Sequence, residues 1–565
     1  MRTRRRKQGL AVQAVAGTHT VLLGFSLDDP AGCLGFAIHR TDHTEGEARW
    51  LRGMKTFGSV VPDPPPGSDW PTNAHPVQGF QWGDYSAKPG HHYTYAVSAL
   101  GGPPATPVPT ATVSLTVRTE VEDDGEHGVW FNRGVAGSQA FARQFAGWVP
   151  TSTPDETHPA MAWLSRGLGE ALLAFCAEAL DDEWSIHGAL YELTWGRALQ
   201  AFGAARDRGA DVHLVVHGRD RDAGAANNDR TAEMARAAVV ANGVEDLVTW
   251  RTAPIKSALH HHKFLVLSRR GIPEAVWTGS TNLTLGAIYG HSNVGHVVRD
   301  RAVAARFEAE WERLRDGLPI ADLRAVHTAD PAPERTVPVG GGVSSVFSPL
   351  TGTSLLDWYA ELFDAATSSA HVTGAFGLHQ VFRDRLAVDR SPVTRTVLLE
   401  KVPPPTAAIP RTDDHVRIST GSHLMGDPLQ QWATERLTGF NTHVRYIHTK
   451  IILIDPLGPD PTILTGSANY SNASTSTNEE HTLIIRAGRT RSSSRRAVRR
   501  VADIYLTEYH RLFMHFAFRA MAQDREVNTG VSQWSRHLDE TGTWADRYYV
   551  DDSWRAAQRR LFSGS

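Results

Sequence analysis

Histidine and lysine side chains at a short, fixed spacing are the residues of this chain best suited to chemistry. Residues 448–480 contain His448, Lys450 and Asp455 in the order His-x-Lys-x-x-x-x-Asp, and a Gly-Ser-x-Asn turn follows them. The apolar run Ile451–Ile454 predicts a buried strand. Side chains two residues apart share one face of a strand, so the imidazole and the ammonium lie together. A buried cation needs an anion opposite it, and a phosphate is the natural candidate.

This motif occurs twice in the chain. Residues 261–284 align without a gap with residues 448–471, and both copies keep His, Lys, Gly, Ser and Asn at equal offsets. The matched side chains are His261 with His448, Lys263 with Lys450, Ser280 with Ser467, and Asn282 with Asn469. A single His-x-Lys pair often arises by chance, whereas two copies with the same following turn do not. Ordinary core strands with satisfied histidines would leave the matched repeat unexplained.

The paired motifs resemble those of the phospholipase D superfamily. The resemblance extends from about Val129 onward. It implies a catalytic role for Asp455 of the second motif, but the first copy has Ser268 at the corresponding position. After the turn, the first copy has the neutral residues Asn293, Val294 and Gly295 where the second copy has Asn478 and the two acids Glu479 and Glu480. The first half is therefore the degenerate copy.

The resemblance also implies a mechanism. Both His-x-Lys strands would meet at one pseudo-twofold cleft, where one histidine attacks phosphorus and forms a phosphohistidine. The other histidine would protonate the leaving group and then activate water or an alcohol. The phosphoryl oxygens would be held by Lys263, Lys450, Ser280, Asn282, Ser467 and Asn469. No metal or other cofactor is required, which agrees with the lack of a clustered carboxylate site in the sequence.

Acidic residues decide which histidine attacks. In the family, acids after each turn reach across to the histidine of the opposite half, so Glu480 would support His261. The first-half residue that faces His448 would be Asn293 or Gly295, and both are neutral. A carboxylate that orients an imidazole makes it a better nucleophile or base. We therefore predict His261 as the nucleophile and His448 as the general acid and base.

Composition sets the limits of the remaining inferences. The chain has 565 residues, of which 41% are apolar and 21% are charged, and these values are typical of soluble globular proteins with several domains. A net charge of −3 excludes an overall basic field that would attract nucleic acid or anionic membrane, although a local basic cleft would suffice for either. Cys33 and Cys176 are far apart, which argues against a disulfide framework and is compatible with a reducing compartment.

The elements that must position the motifs indicate an α/β fold. Strands alternate with helices from Trp130 onward, which predicts two phospholipase D-like α/β halves, residues 129–330 and 343–565, each a mixed sheet flanked by helices. Short alternating segments separated by Pro and Gly clusters predict a small β-sandwich, fibronectin type III-like, over residues 19–118. Residues 1–18 are basic, and we predict a disordered arm there.

Hydrophobic periodicity predicts the individual elements. Apolar residues at helical spacing predict helices over residues 161–179, 195–208, 231–240, 302–314, 355–366 and 495–522. Short apolar runs predict strands over residues 184–193, 212–216, 248–251, 370–376 and 394–400. The His-x-Lys strands follow such βαβ runs in both halves.

These features together predict a phosphodiesterase of the phospholipase D type that hydrolyses or transfers a phosphodiester, with a phospholipid as substrate. The alternative is a metal-independent nuclease that uses the same site. A non-enzymatic binding module is disfavoured because both His-x-Lys pairs are intact.

The sequence also bears on partners and location. One chain carries both half-sites, so we expect a monomer. No stretch approaches the length of a transmembrane helix, so we expect no stable membrane anchor. The N-terminal apolar run is short and interrupted by Gln8 and Gln13, which favours a cytoplasmic protein and leaves secretion open.

Overall fold

The computed structural model describes the chain outside a set of short segments. The segments not described are residues 66–67, 135–140, 142–143, 146–147, 149–150, 152–153, 220–229, 253–257, 331–340, 411, 422–445, 489–492 and 528–536. Most of the stretch that separates the two predicted halves, residues 331–342, lies outside the described residues.

The N-terminal region is built from ten strands. They are β1 (Arg2–Lys7), β2 (Leu10–Ala16), β3 (Val21–Leu27), β4 (Gly35–Asp42), β5 (Glu47–Trp50), β6 (Arg52–Gly53), β7 (Trp70–Pro71), β8 (Gln81–Asp84), β9 (His92–Gly101) and β10 (Val108–Arg118). Two antiparallel four-stranded sheets have the orders β1-β2-β3-β8 and β10-β9-β4-β5. Apolar residues of both sheets, such as Phe25, Phe36 and Val113, pack in one core. This arrangement is the predicted sandwich.

The first residues belong to this sandwich, and the prediction of a disordered arm was wrong. Strand β1 pairs antiparallel with β2, from Arg2 opposite Val15 to Lys7 opposite Leu10. The prediction considered only the charge of these residues. Basic side chains are well suited to an edge strand, because they protect it from pairing with other chains. Arg2 also forms an ion pair with Asp503, with 2.6 Å between Nε and Oδ1.

The first α/β half is a seven-stranded mixed sheet. Its strands are β11 (His127–Phe131), β12 (Trp184–Leu190), β13 (Asp211–His217), β14 (Val248–Arg251), β15 (Lys263–Arg269), β16 (Ile272–Gly279) and β17 (Val294–Val298). Its helices are α1 (Pro159–Ser165), α2 (Leu168–Ala177), α3 (Gly196–Asp207), α4 (Thr231–Ala241), α5 (Arg301–Arg315) and α6 (Ile320–Ala329). The strand order is β11-β17-β16-β15-β12-β13-β14, with β12, β13 and β14 parallel.

The second half repeats this topology. Its strands are β18 (Gly342–Ser348), β19 (Ser369–Gly374), β20 (Thr394–Leu399), β21 (Val416–Thr420), β22 (Ile451–Ile454), β23 (Thr462–Gly466) and β24 (Glu480–Arg486). They follow the order β18-β24-β23-β22-β19-β20-β21, which matches the first sheet position by position. The helices are α7 (Ser354–Asp364), α8 (Gln380–Leu386), α9 (Asn472–Ser476), α10 (Ser493–Val527) and α11 (Trp554–Ser563). The repeated motif thus lies on a repeated fold.

The long helix α10 contacts both halves. Its buried stripe comprises Val498, Val501, Tyr505, Leu512 and Phe516. Glu508 forms a buried ion pair with Arg166 of the first half, with 2.5 Å between the charged atoms. On the other side, the hydroxyl of Thr396 in β20 donates to Tyr509 at 2.9 Å. This helix therefore fixes the two sheets relative to each other.

Two predicted boundaries differ from the structure. The helix predicted over residues 161–179 is broken between α1 and α2, where Arg166 and Gly167 have φ of 48° and 88°. The break turns Arg166 towards its partner on α10. At the other end of the chain, Trp544 packs in the sandwich core and its Nε1 donates to the carbonyl of Cys33 at 2.7 Å. These late residues therefore pack on the N-terminal sheets, although the sequence assigned them to the second half.

In the part of the chain that the structure describes, no helix combines the length and the apolar composition needed to cross a membrane.

Candidate active site

The two motif histidines are buried at the points where their strands begin. His261 lies two residues before β15, and His448 lies three residues before β22. Each lysine ammonium donates to the backbone carbonyl of its own motif histidine, at 2.8 Å from Lys263 and 2.7 Å from Lys450. Each lysine ammonium therefore lies against the backbone of its own motif histidine.

Backbone contacts bring the two motifs together across the halves. The amide of His261 donates to the carbonyl of Glu479 in the second half at 2.9 Å. The amide of His448 donates to the carbonyl of Ser292 in the first half at 3.1 Å. Each histidine is therefore anchored by the residues that follow the turn of the opposite half.

A carboxylate partners one histidine. Nδ1 of His261 lies 2.9 Å from Oε2 of Glu480, the first residue of β24. The other carboxylate oxygen accepts from the side-chain amide of Asn478 at 3.0 Å. A carboxylate accepts only, so the imidazole donates through Nδ1 and keeps Nε2 available. This is the cross-half contact that the sequence suggested for Glu480.

An amide partners the other histidine. Oδ1 of Asn293 lies 3.0 Å from Nδ1 of His448 and accepts from the hydroxyl of Ser280 at 2.8 Å. The amide nitrogen of Asn293 donates to the carbonyl of Ala287 and to Nδ1 of His291, both at 2.9 Å. These contacts fix the orientation of the amide, so His448 also donates through Nδ1. Both histidines therefore carry a proton on Nδ1. The acceptor of the hydrogen bond is a negatively charged carboxylate for His261 and an uncharged amide for His448.

Burial and crowding of cations lower the pKa values of the site. Burial lowers the pKa of His261 to about 4, against the attraction of Glu480. Burial and then Lys450 hold the pKa of His448 well below its usual range. Burial lowers the pKa of Lys263 to about 7, and burial with Lys263 depresses the pKa of Lys450. An anion bound among these groups would raise all four pKa values.

The turn residues are held by close backbone packing. At Gly466, with φ of 155°, a Cβ would lie 2.4 Å from the carbonyl oxygen of His481, so only glycine fits. The hydroxyl of Ser467 accepts from the amide of His481 at 3.0 Å, and the hydroxyl of Ser280 is engaged with Asn293. Both serines therefore shape the turns, and the predicted contact with phosphate through their hydroxyls stays a prediction.

Asp455 does not belong to the site, and its predicted catalytic role was wrong. It follows β22, so at roughly 3.3 Å per residue it lies about 20 Å from His448. Its carboxylate accepts from the amides of Thr367, Ser368 and Ser369 at 2.8, 2.6 and 3.0 Å. Asp455 thus holds the start of β19. The first half has Ser268 at the corresponding position, within β15, so its motif has no carboxylate there.

Two residues of the site escaped the sequence analysis. Arg251 at the end of β14 forms a bidentate ion pair with the carboxylate of Glu479, with Nε 2.7 Å from Oε2 and Nη2 2.6 Å from Oε1. The same carboxylate accepts from Nδ1 of His260 at 2.9 Å. Glu192, two residues beyond β12, accepts a hydrogen bond from the side-chain amide of Asn282. Both residues lie at or just beyond the carboxyl ends of parallel strands, and polar side chains at such ends are the signal that could have found them.

Possible metal ligands gather elsewhere. Among the described residues, one group of three has ligand atoms close enough to share a metal ion, namely Asp42, Glu45 and His91 in the sandwich. Glu45 is also paired with Lys88 at 2.5 Å. The positive charge of the histidine site comes from lysines.

Comparison with known proteins bears on the first half. Residues 179–315 match the family model of the phospholipase D-like domain of cardiolipin synthase. The matched segment contains His261, Lys263 and the first turn, and the second half repeats its strand order and its motif. No curated protein matches the chain.

Solved structures similar to this chain have low sequence identity to it. Polyphosphate kinase from Porphyromonas gingivalis is 12% identical, with 62% of this chain and 49% of that chain covered and a TM-score of 0.37. Phosphatidylserine synthase from Haemophilus influenzae Rd KW20 is 11% identical, with 61% of this chain and 84% of that chain covered and a TM-score of 0.42. Nuc from Salmonella typhimurium, a phospholipase D family member, is 19% identical, with 34% of this chain and 96% of that chain covered and a TM-score of 0.22. The chain spans about half the length of the polyphosphate kinase that it matches.

Proposed function

We propose that this chain is a phosphodiesterase of the phospholipase D type, which cleaves its substrate through a phosphohistidine on His261. One observation carries the proposal: both histidines donate through Nδ1 to the opposite half, so each keeps Nε2 for chemistry beside an ammonium. A nucleophile, a proton donor and two cations are what cleavage of a phosphodiester anion requires.

In the first step, the lone pair of Nε2 of His261 forms a bond to phosphorus as the ester P–O bond breaks. The departing oxygen takes the proton from protonated His448. Lys263 and Lys450 balance the charge on the phosphoryl oxygens. The amide groups of Asn282 and Asn469, from the two turns, are the candidates to donate to the same oxygens.

In the second step, the covalent intermediate is hydrolysed. Neutral His448 takes a proton from water, the water oxygen bonds to phosphorus, and the N–P bond breaks. His261 returns to its neutral form, and His448 carries the proton until the product leaves the site. An alcohol in place of water would give transfer by the same path.

Substrate binding lets His448 take up from solution the proton that it needs. In the free site, burial and Lys450 keep the pKa of His448 low, so the imidazole is neutral near pH 7. A bound phosphodiester adds a negative charge beside the ring and raises its pKa. Proton uptake therefore accompanies binding, and the general acid forms only when there is a substrate to protonate.

Exposed apolar residues near the second half favour a phospholipid as the substrate. Phe376 lies two residues beyond β19 and is 63% exposed, and Val402 lies three residues beyond β20 and is 57% exposed. Glu400, also beyond β20, accepts from the amide of Ile447 at 2.7 Å, which places this end of the sheet beside His448. Apolar side chains there suit acyl chains better than a nucleic-acid backbone.

A substrate panel tests the proposal. The intact protein, in chelator, should release phosphatidic acid from phospholipid vesicles, and a chromogenic phosphodiester should also be cleaved. His261→Ala should abolish both activities, whereas His43→Ala, which changes an exposed histidine of the sandwich, should retain them. Cleavage of DNA or RNA without cleavage of lipid would make the site a nuclease. A folded protein that cleaves none of these diesters would refute the proposed function.

A further inference from the structure

Asn132 holds the segment that leads into β17. It is the residue directly after β11, and its side chain is fully buried. Its amide nitrogen donates to three backbone carbonyls, at 3.0 Å for Ala287, 3.0 Å for Ile288 and 2.9 Å for His291. Its amide oxygen accepts from the backbone amide of Asn293 at 2.8 Å. A single side chain thus fixes the backbone of residues 287–293 at both ends.

This segment has an unusual backbone, and it sets the contact of His448. Residues Gly286–Gly290 form one turn of π-helix, a rare conformation that occurs mostly as single turns at functional sites. The amide nitrogen of Asn293 donates to the carbonyl of Ala287 within that turn, so the turn orients the amide whose oxygen lies 3.0 Å from Nδ1 of His448. Asn132 supplies donors to two carbonyls of the turn, and buried carbonyls are costly without a donor. Asn132 is therefore linked to His448 through Asn293.

The second half has a serine in the corresponding place. In the antiparallel ladder of β18 and β24, Ser348 lies opposite Glu480. In the ladder of β11 and β17, Asn132 lies opposite Asn293, one residue beyond the last pair. The hydroxyl of Ser348 donates at 2.7 Å to the backbone carbonyl of Ser474, which lies in the segment that leads to Glu480. Each half therefore has one buried polar side chain that fixes the segment supporting the histidine of the other half.

We propose that Asn132 is a positioning residue that fixes Asn293 and, through it, the general acid His448. Ser348 has the same role for Glu480 and the nucleophile. The inference rests on the proposed function for the tasks of the two histidines, and neither Asn132 nor Ser348 touches the reacting atoms. Because each side chain acts on the histidine of the opposite half, loss of either one should impair a different part of the reaction.

Two diesters of the same phosphatidyl group, one with an alkyl alcohol and one with nitrophenol as leaving group, distinguish the two effects. Asn132→Ala should misplace His448 and slow the initial burst of alkyl alcohol by roughly 10²-fold. Nitrophenol needs little protonation, so its burst should change much less. Ser348→Ala should misplace the nucleophile and slow both bursts by the same factor. Asn132→Ser keeps a donor and should restore part of the rate, and Asn73→Ala, at an exposed position of the sandwich, should leave both bursts unchanged. Equal slowing of both bursts by Asn132→Ala, or no slowing of either, would overturn the inference.

Proton NMR without substrate separates this inference from the proposed function. With nitrogen-labelled histidine, the Nδ1–H protons of His261 and His448 should give separate downfield signals, because each is hydrogen-bonded to an oxygen. His261→Ala and His448→Ala assign the two signals. Asn132→Ala should shift only the signal of His448, and Ser348→Ala only that of His261. This pattern supports the inference even if the intact protein cleaves no diester. If Asn132→Ala does not fold, Asn132→Ser is measured in its place with the same expectation. Movement of both signals by one substitution, or of neither, would show a merely structural role and would refute the inference.

Discussion

The imidazole of His261 hydrogen-bonds to Glu480, a carboxylate that belongs to the opposite half of the chain. The equivalent contact of His448 is to the uncharged amide of Asn293. A carboxylate stabilises the positive charge that develops on an attacking imidazole, and an amide does so less. The two histidines are therefore equivalent in fold but unequal in chemistry.

The covalent intermediate should form on His261. His261→Ala should abolish labelling of the protein by a substrate with labelled phosphorus. His448→Ala should lower turnover by about 10²–10⁴-fold, since it removes a general acid and base, and the label should then accumulate on His261. A substrate with a good leaving group should partly rescue His448→Ala only. Peptide mapping locates the label, and a label on His448 of the intact protein would reverse the assignment.

Activity should depend on pH through His261. The nucleophile must be neutral, so kcat/KM should fall on the acid side as pH drops through the pKa of about 4. Glu480 raises this pKa, so Glu480→Gln should move the acid limb to lower pH and should lower kcat/KM at pH 7 by roughly 10–100-fold. Glu361→Gln, at an exposed position of α7, is the matched control. An acid limb that does not move with Glu480→Gln would show that another group limits the rate.

Activity should persist after metal removal. Lys263 and Lys450 supply the positive charge that a divalent ion would otherwise provide, so dialysis against chelator should change kcat by less than about twofold. Activity measured before dialysis, after it and after return of Mg²⁺ checks this. Loss in chelator that Mg²⁺ reverses, with the thermal melting curve unchanged, would contradict a lysine-based site.

Asp455→Asn should reduce stability and spare chemistry. The carboxylate accepts three backbone amides at the start of β19, and their loss should cost roughly 1–3 kcal/mol. Denaturant unfolding measures this cost, and Asp551→Asn at an exposed position is the control. Well below the melting temperature, kcat should match that of the unchanged protein. A tenfold lower kcat at unchanged stability would return Asp455 to the catalytic set.

The strands and helices could be predicted from the sequence because the residue patterns that specify each of them are local. The apolar run of β22 and the repeated spacing predicted a buried strand in each half, and both strands are present. Helix α3 and strand β14 lie within a residue or two of the predicted ranges. The break between α1 and α2 was missed, although Gly167 there has φ of 88°, a conformation that glycine adopts readily. The partner of Arg166 is Glu508, and only the tertiary fold brings these two residues together.

The site was predictable only in part for the same reason. His261, His448 and their lysines follow from motif spacing, and Asn293 was one of two residues named for His448. Asp455 was misassigned because a motif position does not show which end of the strand faces the site. Arg251 and Glu192 carry no motif, and only the tertiary fold brings them to the histidines.

The buried pair of Arg251 and Glu479 should hold the two halves in register at the nucleophile. Glu479 binds Arg251 through its carboxylate and His261 through its backbone carbonyl. Burial raises the pKa of Glu479, but His260 and Arg251 outweigh it and bring the value to about 2. The carboxylate is therefore ionised in the folded state over the working range of pH, and the pair's stabilisation should be lost only as pH falls from about 4.5 towards 2.

Arg251→Met should leave a buried carboxylate without its main partner and should cost about 3–5 kcal/mol. Glu479→Gln should cost less than this, because the amide still accepts hydrogen bonds. The double variant should be less destabilised than the sum of the two, since neither charge is then left unpaired. Denaturant unfolding of the four proteins gives the coupling energy, and kcat of the same set reports the placement of His261. Additive costs, or single costs below about 1 kcal/mol, would show that the pair does not hold the halves together.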